Sequence, residues 1–271
     1  MLVVDSEANL TQLNQLGCEL NISINLLVDI DAGIGRTGAS FDTALDLALF
    51  AHNNAYTTLK GIQCYAGHFQ HIFDNDERKQ ASAALLNKAG KLKQDIELAT
   101  GLVNLIQSGS GTGTDEIDSD IASVTEIQPG SYTVMDKEYF DIEYSVGNST
   151  DNRAGHFQPA MTLLTSVISA NHSTHVTVDA GTKALYKEAT HPQIISHDGR
   201  NCDALSYEWH YFGDEHGKVS GENLPNVGAV IEMIVPHCDP TINLHDNSMW
   251  LKMKLLSTFG ISHCAVNSLS P

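Results

Sequence analysis

The stretch NISINLLVDIDAG, from Asn21 to Gly33, is a nearly continuous apolar run that ends in two acidic residues and a glycine. Strands buried on both faces have such runs, because helices cover both faces of a parallel sheet. The stretch therefore predicts a buried strand of a parallel sheet. In folds of this kind ligands bind at the carboxyl ends of the strands, which here means the residues that follow Asp29.

Strands and helices alternate on both sides of this stretch, up to about Asp136. Such alternation predicts βαβ units and a parallel sheet. Ser40 is expected to cap the first predicted helix, and Gly101 is expected to end the second. The predicted strands are MLVVDS (1–6), LKGIQCYAG (59–67), LVNLIQSG (102–109) and VTEIQPGSYTVMD (124–136), and the predicted helices cover residues 40–54 and 76–100.

The pattern changes from Lys137 onward, where short apolar strands are separated by polar, glycine-rich and histidine-rich segments. No long helix is predicted there. The sequence therefore predicts two domains, an α/β domain over residues 1–136 and a mostly antiparallel β domain over residues 137–271. The predicted strands of the second domain are MTLLTSVISA (161–170), HVTVDAGTKAL (175–185) and GAVIEMIVPH (228–237).

The chain of 271 residues is strongly acidic, with 33 Asp and Glu against 15 Lys and Arg and a formal charge of −18. Such a surface repels phosphate backbones and anionic lipids, so we expect neither nucleic acid nor a membrane as a partner. The apolar runs are too short to span a bilayer, and the N-terminus lacks the features of a signal peptide. Five widely spaced cysteines without a CxxC motif are typical of a reduced, cytoplasmic protein.

A glycine-rich segment, SGSGTGT from Ser108 to Thr114, directly follows a predicted strand. Glycines let the backbone approach an anion closely, and amides with Ser and Thr hydroxyls supply hydrogen-bond donors. The segment is not a Walker loop, because no lysine follows the glycines. It is interpreted either as a phosphate-binding loop or as a flexible turn.

Polar side chains follow two other predicted strands. DIDAGIGRTG (29–38) places Arg36 just beyond a strand end. GIQCYAGHFQHI (61–72) places Gln63 and Tyr65 on one face of a strand, because side chains alternate along it. Each of these residues, taken alone, also fits a surface turn or a packed ring. The second segment continues with His68, Gln70 and His71.

The segment VPHCDPTINLHD (235–246) places a His, a Cys and an Asp in a row. In an extended chain His237 and Asp239 point to one side and Cys238 to the other, and Pro240 is expected to keep Asp239 extended. One imidazole and one carboxylate suit Mn²⁺, Mg²⁺, Co²⁺ or Zn²⁺, with water at the remaining positions. Cys238 would then be a small buried apolar residue. The segment DEHG (214–217) is either a solvated turn or an outer shell of the metal site.

Taken in order along the chain, these motifs resemble the D-threonine aldolase family. These enzymes are metal-activated relatives of D-serine dehydratase and alanine racemase, with the pyridoxal-phosphate barrel of fold type III. The resemblance implies the second half of a (β/α)8 barrel over residues 1–136, followed by the β domain over residues 137–271. It rests on VDIDAGIGRTG, GIQCYAGHFQHI, GSGTGTDEIDS, PGSYTVMD, VDAGTKAL, DEHG and PHCDPTINLHD.

The resemblance also implies roles for individual residues. Arg36 and Tyr65 would border the ring of pyridoxal 5'-phosphate, and His71 would join Arg36 as a catalytic residue, acting on the substrate hydroxyl. His237 and Asp239 would bind the divalent metal, Mn²⁺ by preference, and the protein would form a homodimer. The cofactor phosphate would be held by Gly109, Ser110, Gly111, Thr112 and Gly113, with Tyr132 nearby.

The activity implied is retro-aldol cleavage of a D-β-hydroxy amino acid to glycine and an aldehyde. The resemblance implies a His-x-Cys pattern in the D-serine dehydratases of the family. This sequence has Asp239 in place of that cysteine. An oxygen ligand favours the aldolase branch and a harder metal. Two alternatives stay open. One is a D-serine or D-3-hydroxyaspartate dehydratase, and the other is a non-catalytic chain that binds pyridoxal phosphate.

One feature departs from the family pattern. The Schiff-base lysine of the family lies in the first strand region of the barrel, and no lysine of this chain matches it. Lys60 lies at the start of its predicted strand, which is the wrong end of the barrel, and Lys183 lies in the C-terminal β region. We therefore expect this sequence to correspond to the C-terminal part of such an enzyme and to be inactive or severely impaired alone.

Overall fold

A computed structural model describes residues 1–143, 157–202, 204–209, 212–249 and 261–263. The chain forms two compact units. The first unit comprises Met1–Gly130 and Ile142–Gly147, and the second comprises Ser131–Asp141 and Asn148–Pro271. The division therefore comes at Gly130, before the predicted boundary at Asp136, and assigns Tyr132 and Asp136 to the second unit.

The first unit is built on a four-stranded sheet in the order β1-β2-β3-β4, with every neighbouring pair parallel. One helix follows each of the first three strands, so the predicted βαβ alternation is confirmed. A short helix, α4, follows β4. The elements are β1 (Leu2–Val4), α1 (Glu7–Leu20), β2 (Ile24–Asp29), α2 (Phe41–Asn53), β3 (Thr57–Gln63), α3 (Asn75–Thr100), β4 (Ile106–Ser108) and α4 (Asp115–Ser119).

Strand β2 supplies the centre of the first hydrophobic core. Leu26 and Val28 are fully buried, and Leu27 is 3% exposed, so both faces of the strand pack against other elements. Each such side chain contributes about 1.5–3 kcal/mol when it is removed from water. The buried strand predicted from the apolar run is confirmed. The helices add Ala44 and Leu86 to the same core.

Helix α1 was not predicted from the sequence. Only Leu10 and Gly17 of its residues are buried, so it lacks the wide apolar stripe that marks a helix. Its ends are nevertheless well defined. Ser6 accepts a hydrogen bond from the amide of Asn9, and Asn21 ends the helix in the left-handed conformation.

The segment predicted as a strand over residues 124–136 is not a regular strand, and that prediction was wrong. It runs beside β4, where Glu126 forms an isolated parallel bridge with Ser108. Pro129 has no amide to continue the pairing, and a short 3-10 turn follows at Ser131–Thr133.

The second unit is built on a seven-stranded antiparallel sheet in the order β8-β7-β11-β5-β6-β10-β9. The predicted antiparallel β architecture is confirmed, although only His175–Val178 of the predicted strand over residues 175–185 is a strand. The elements are α5 (Lys137–Asp141), β5 (Thr162–Ser169), β6 (His175–Val178), β7 (Gln193–His197), β8 (Arg200–Asn201), β9 (Leu205–Glu208), β10 (Gly217–Gly221), β11 (Val230–Ile234), α6 (Cys238–Ile242), β12 (Asn247–Met249) and β13 (Ile261–His263).

Candidate cofactor and metal sites

The glycine-rich loop Ser108–Thr114 lies at the carboxyl end of β4 and is held by a buried carboxylate. Asp118 is fully buried and accepts hydrogen bonds from the amide of Ser110 at 3.1 Å and from Thr114 Oγ1 at 2.8 Å. The hydroxyl of Ser82, on α3, donates to the same carboxylate. Burial raises the pKa of Asp118, although these hydrogen bonds oppose the rise. Sequence reasoning missed this residue, although it lies in the quoted motif GSGTGTDEIDS.

The loop is also packed tightly against Gln70. The amide of Gly113 donates to Gln70 Oε1 at 3.1 Å. A Cβ atom added at Gly111 would lie 2.8 Å from Gln70 Oε1, and one added at Gly113 would lie 2.5 Å from the Gln70 carbonyl oxygen. Glycine is therefore required at both positions, because a larger residue would clash with Gln70. The amide of Ala66 donates to Ser110 Oγ at 3.0 Å, which ties the loop to the segment after β3.

The amides of the loop show which donors an anion would meet. Gly109, Ser110, Gly113 and Thr114 donate to acceptors within the chain. Among the residues that the structure describes, the Gly111 amide donates to none. The loop thus fits a phosphate group through a narrower set of donors than the five predicted residues.

Arg36 and Tyr65 come together at an open cleft at the end of β2. The guanidinium carbon of Arg36 lies 5.5 Å from the centre of the Tyr65 ring. Asp31 fixes the intervening loop by accepting the amides of Gly35 at 3.0 Å and Gly33 at 2.9 Å, and these hydrogen bonds lower its pKa. The cleft is lined by Asp29, Ile30, Asp31, Ala32, Ile34, Arg36, Thr37 and Tyr65, and no lysine is among them.

A chain of polar side chains joins the carboxyl ends of the parallel strands. Gln63 Nε2 donates to Asp29 Oδ1 at 3.0 Å, and Gln128 Nε2 donates to both Gln63 Oε1 at 3.1 Å and Ser108 Oγ at 2.8 Å. The hydroxyl of Ser108 in turn donates to Glu126 Oε1 at 2.8 Å. Of these residues, only Gln63 was considered from the sequence as an individual side chain. The hydrogen bonds to the others form because neighbouring strands of the sheet end side by side, which the sequence does not show.

Two further predicted residues lie in short 3-10 turns. His71 ends the turn Gly67–His71 after β3, and its side chain is exposed. Tyr132 belongs to the second unit, 39% exposed, with its ring centre 5.0 Å from that of Phe157. The proposed base function of His71 and the phosphate contact of Tyr132 stay predictions.

The second unit carries the predicted metal ligands. His237 is extended and precedes α6, which begins at Cys238. Asp239 therefore lies in the first turn of a helix, and the prediction of an extended Asp239 was wrong. Pro240 is tolerated there because amides of the first helical turn have no partner within the helix.

The two predicted ligands nevertheless converge. His237 Nε2 lies 3.8 Å from Asp239 Oδ2, and the Asp239 side chain is 64% exposed. The hydroxyl of Ser131 donates to the same carboxylate oxygen at 2.6 Å and so orients it. An imidazole nitrogen beside an accessible carboxylate is a donor set that fits a divalent cation.

Asp136 lies behind this pair and is fully buried. Its Oδ2 atom lies 2.9 Å from His237 Nδ1 and accepts the amide of Cys238 at 2.8 Å, while its Oδ1 atom accepts the amide of Tyr139 at 2.9 Å. Burial disfavours charge on both partners. The hydrogen bond between them nevertheless lowers the pKa of Asp136 and raises the pKa of His237.

Cys238 is buried, as expected from its position in the motif. It is 2% exposed, and burial strongly raises the pKa of its thiol. Its Sγ atom lies with donor atoms of Asp136 and His237 in a group whose members are all within 4.8 Å of one another. A thiol must lose its proton to bind a metal, and burial opposes that loss.

The DEHG turn contacts a different part of the second unit. Asp214 accepts a hydrogen bond from Thr182 Oγ1 at 3.2 Å, and Glu215 forms an ion pair with Lys183. Lys183 is 64% exposed. These contacts support the interpretation of a solvated turn and place Lys183 at the surface.

No helix among the described residues is both long and apolar enough to cross a membrane. The α/β unit with its glycine-rich loop and the β unit with its His–carboxylate pair define an alanine racemase-like protein. Residues 1–138 match the family model described as alanine racemase, N-terminal domain, and residues 160–251 match the putative serine dehydratase domain. The chain belongs to the alanine racemase N-terminal domain family.

The chain is similar in sequence to curated aldolases. The chain is 32% identical over 247 residues to a D-threonine aldolase of Arthrobacter sp., which covers 90% of this chain and 61% of the relative. It is 31% identical over 245 residues to a 3-hydroxy-D-aspartate aldolase of Paracoccus denitrificans (strain Pd 1222), with the same shares covered. The chain thus spans about 61% of the length of these relatives.

Solved structures agree with the fold. The D-threonine aldolase from Filomicrobium marinum superposes with a TM-score of 0.83 and 28% identity, covering 96% of this chain and 67% of that one. A D-threo-3-hydroxyaspartate dehydratase from Delftia sp. HT23 gives a TM-score of 0.72 at 19% identity, covering 91% and 68%. The second likeness concerns the fold alone.

Proposed function

We propose that this chain takes part in the retro-aldol cleavage of D-β-hydroxy amino acids to glycine and an aldehyde, with pyridoxal phosphate and a divalent metal. The observation that carries the proposal is the convergence of His237 Nε2 and Asp239 Oδ2 at 3.8 Å. The names of the curated relatives support the reaction class. The parallel strands of the first unit agree with part of a (β/α)8 barrel, and assembly as a homodimer belongs to the same proposal.

The first unit would hold the cofactor. The Gly111 amide would bind the phosphate in the loop that Asp118 and Gln70 hold in place, and Arg36 with Tyr65 would border the ring. When bound, pyridoxal phosphate supplies an electron sink for the bond that breaks. No lysine lines the cleft next to Arg36 and Tyr65, so we assign no Schiff-base residue.

The second unit would hold the metal. His237 and Asp239 would bind it, with Mn²⁺ preferred because a carboxylate replaces the thiolate of a softer site. When bound, a divalent metal lowers the pKa of a hydroxyl that it contacts. His71 is the proposed general base for the substrate hydroxyl, because its imidazole is exposed and can exchange a proton with a ligand.

Product analysis tests the reaction. The purified chain would be incubated with pyridoxal phosphate, Mn²⁺ and D-threonine, with L-threonine as the control. We expect glycine and acetaldehyde from the D isomer only, and at a low rate, because no Schiff-base lysine is assigned in this chain. An oxoacid with ammonia would overturn the aldolase assignment in favour of a dehydratase, which the similarity to the putative serine dehydratase domain supports.

Binding measurements separate catalysis from ligand binding. Loss of the free Mn²⁺ signal in electron paramagnetic resonance would report the metal site, and Asp239→Asn should abolish it. Borohydride reduction followed by intact mass would show whether any lysine carries pyridoxal phosphate. Binding of both ligands without turnover would favour the non-catalytic alternative, and failure to bind either would overturn the proposal.

A further inference from the structure

We propose that Asp136 is a positioning residue that keeps the imidazole proton of His237 on Nδ1 and thereby directs the Nε2 lone pair toward Asp239 and a divalent cation. The inference rests on the metal site of the proposed function. Neither Asp136 nor a tautomer of His237 was predicted from the sequence.

Asp136 is surrounded by hydrogen-bond donors. The amides of Tyr139 and Cys238 can only donate, and they occupy Oδ1 at 2.9 Å and Oδ2 at 2.8 Å. Both oxygens of this fully buried carboxylate thus act as hydrogen-bond acceptors. The contact of 2.9 Å between Oδ2 and His237 Nδ1 is therefore made by a proton on Nδ1.

The proton on Nδ1 determines the chemistry of the other ring nitrogen. A neutral imidazole carries one proton, so protonation of Nδ1 leaves a lone pair on Nε2. Glu138 Oε2, 3.6 Å from Nδ1, adds negative charge on the same side. Nε2 faces the exposed carboxylate of Asp239 at 3.8 Å, where a cation can reach both groups.

Each of the two proposed ligands is thus oriented by a hydrogen bond from or to a neighbouring side chain. Asp136 orients His237, and Ser131 Oγ donates to Asp239 at 2.6 Å. Carboxylates that accept the second ring proton of a ligating histidine are a general device for fixing its orientation. Each ligand is held by a neighbour before any cation arrives.

Asp136 itself is a poor ligand. It is fully buried, and its oxygens already contact the amides of Tyr139 and Cys238 and the Nδ1 atom of His237. Cys238 is 2% exposed, and its Sγ atom lies 3.9 Å from the carbonyl oxygen of Ser131. The close group of Asp136, His237 and Cys238 is therefore a group that orients His237, rather than a three-ligand site.

The tautomer can be measured directly. Long-range proton–nitrogen correlation spectra of the nitrogen-labelled, metal-free chain at alkaline pH distinguish a protonated ring nitrogen from one with a lone pair. His237→Gln would assign the resonances. We expect the proton of His237 on Nδ1. His245 gives an internal reference with the opposite pattern, because its Nε2 lies 2.9 Å from the carbonyl oxygen of Ala184 and must donate.

Asp136→Asn tests the cause. In this variant the negative charge is lost and an NH2 group replaces one of the two acceptor oxygens, so we expect a smaller share of the Nδ1 tautomer and Mn²⁺ binding about 10–100-fold weaker. Asp179→Asn is the matched control, since that carboxylate also accepts a hydroxyl and an amide, from Thr165 and Ser166. It should change neither the tautomer nor the affinity.

The outcomes separate this inference from the proposed function. A proton on Nε2 in the wild-type chain, or an unchanged tautomer and affinity in Asp136→Asn, would overturn the assignment of Asp136. An Nδ1 proton without Mn²⁺ binding would instead overturn the metal site and leave the orientation of His237 established. If Asp136→Asn fails to fold, the wild-type spectrum still decides the tautomer.

Discussion

Single residues show most clearly what the sequence could and could not predict. Gly111 and Gly113 were expected to let the backbone approach an anion or to form a flexible turn, and the structure shows that their lack of a Cβ atom also lets the loop pack against Gln70. Asp118 and Asp136 were missed, although both lie in quoted motifs. Each carboxylate forms hydrogen bonds with residues that are distant in the sequence, Ser82 for Asp118 and His237 for Asp136. Residue spacing along the sequence does not predict such contacts.

Gly111→Ala should loosen the glycine-rich loop. The new Cβ atom would lie 2.8 Å from Gln70 Oε1, so Gln70 must move and weaken its hydrogen bond from the Gly113 amide. We expect a loss of about 1–3 kcal/mol in the free energy of unfolding, measured by urea denaturation. Gly130→Ala is the matched control, because a Cβ atom there meets nothing within 4 Å. Equal stability of the two variants would contradict the packing argument.

Asp118→Asn should change the pH dependence of stability. Burial raises the pKa of Asp118 above its ordinary 3.8. A carboxyl with a raised pKa contributes stability that is fully present below 3.8 and is lost as the pH rises through its value in the folded state. We therefore expect the free energy of unfolding of the wild type, relative to Asp118→Asn, to fall as the pH rises from 3.8.

Urea unfolding at a series of pH values measures this difference. Asp120→Asn provides the control, because Asp120 is exposed and lies two positions along the same segment. Its difference from the wild type should stay nearly constant with pH. A wild type that gains stability over Asp118→Asn as the pH rises would show that the hydrogen bonds outweigh burial at Asp118.

Secondary-structure elements were predicted where their apolar pattern is strong. Strand β2 is buried on both faces, and α3 presents Leu86, Ala89 and Ile96 to the core at helical spacing, so both were found from the sequence. Helix α1 was missed because it buries few residues and is defined by its ends. The irregular segment beside β4 was mistaken for a strand because an apolar pattern does not show where pairing is interrupted.

Helix α3 depends on a buried arginine at its start. Arg78 is 1% exposed and donates through Nη1 to the carbonyl oxygens of Ile72 at 2.6 Å and Phe73 at 3.1 Å. Its Nη2 donates to Asn75 Oδ1 and to the carbonyl oxygen of Glu143. The planar guanidinium thus joins the start of the helix to the segment that follows α5 in the chain.

Arg78→Lys should therefore destabilise the first unit. A single ammonium cannot reach acceptors that two guanidinium nitrogens now satisfy, and the buried carbonyls left without donors cost about 1–3 kcal/mol. The free energy of unfolding from urea denaturation would measure the loss. Lys79→Arg, at the exposed neighbouring position, should change stability by less than about 0.5 kcal/mol. A neutral Arg78→Lys variant would refute this function of the guanidinium.

At the scale of the whole molecule, the fold class followed from the change in pattern near residue 137. Alternating strands and helices predicted the parallel sheet, and short strands without long helices predicted the antiparallel one. The compact units divide at Gly130, because residues 131–141 carry Ser131 and Asp136, whose partners Asp239 and His237 lie about a hundred positions later. A contact of that span decides the unit to which a segment belongs.

The charge imbalance is also a property of the whole chain. With 33 acidic against 15 basic side chains, like charges repel one another in the compact state. Raising NaCl from about 0.01 M to about 1 M shortens the screening length from about 30 Å to about 3 Å. We expect the melting temperature to rise, as measured by circular dichroism. A falling melting temperature would mean that attractive ion pairs dominate.

The strand order of the second unit has a consequence for the time course of folding. Strand β5 lies in the middle of the sheet between β6, which follows it closely, and β11, which pairs Val230 with Ser166. The hairpin of β5 and β6 can form early in folding, because the two strands are close in sequence. The other edge of β5 stays unpaired until the distant strand β11 binds to it. Contacts between distant segments slow folding, and an open strand edge invites pairing with another chain. Refolding yield should therefore depend on protein concentration, and dilution should favour recovery.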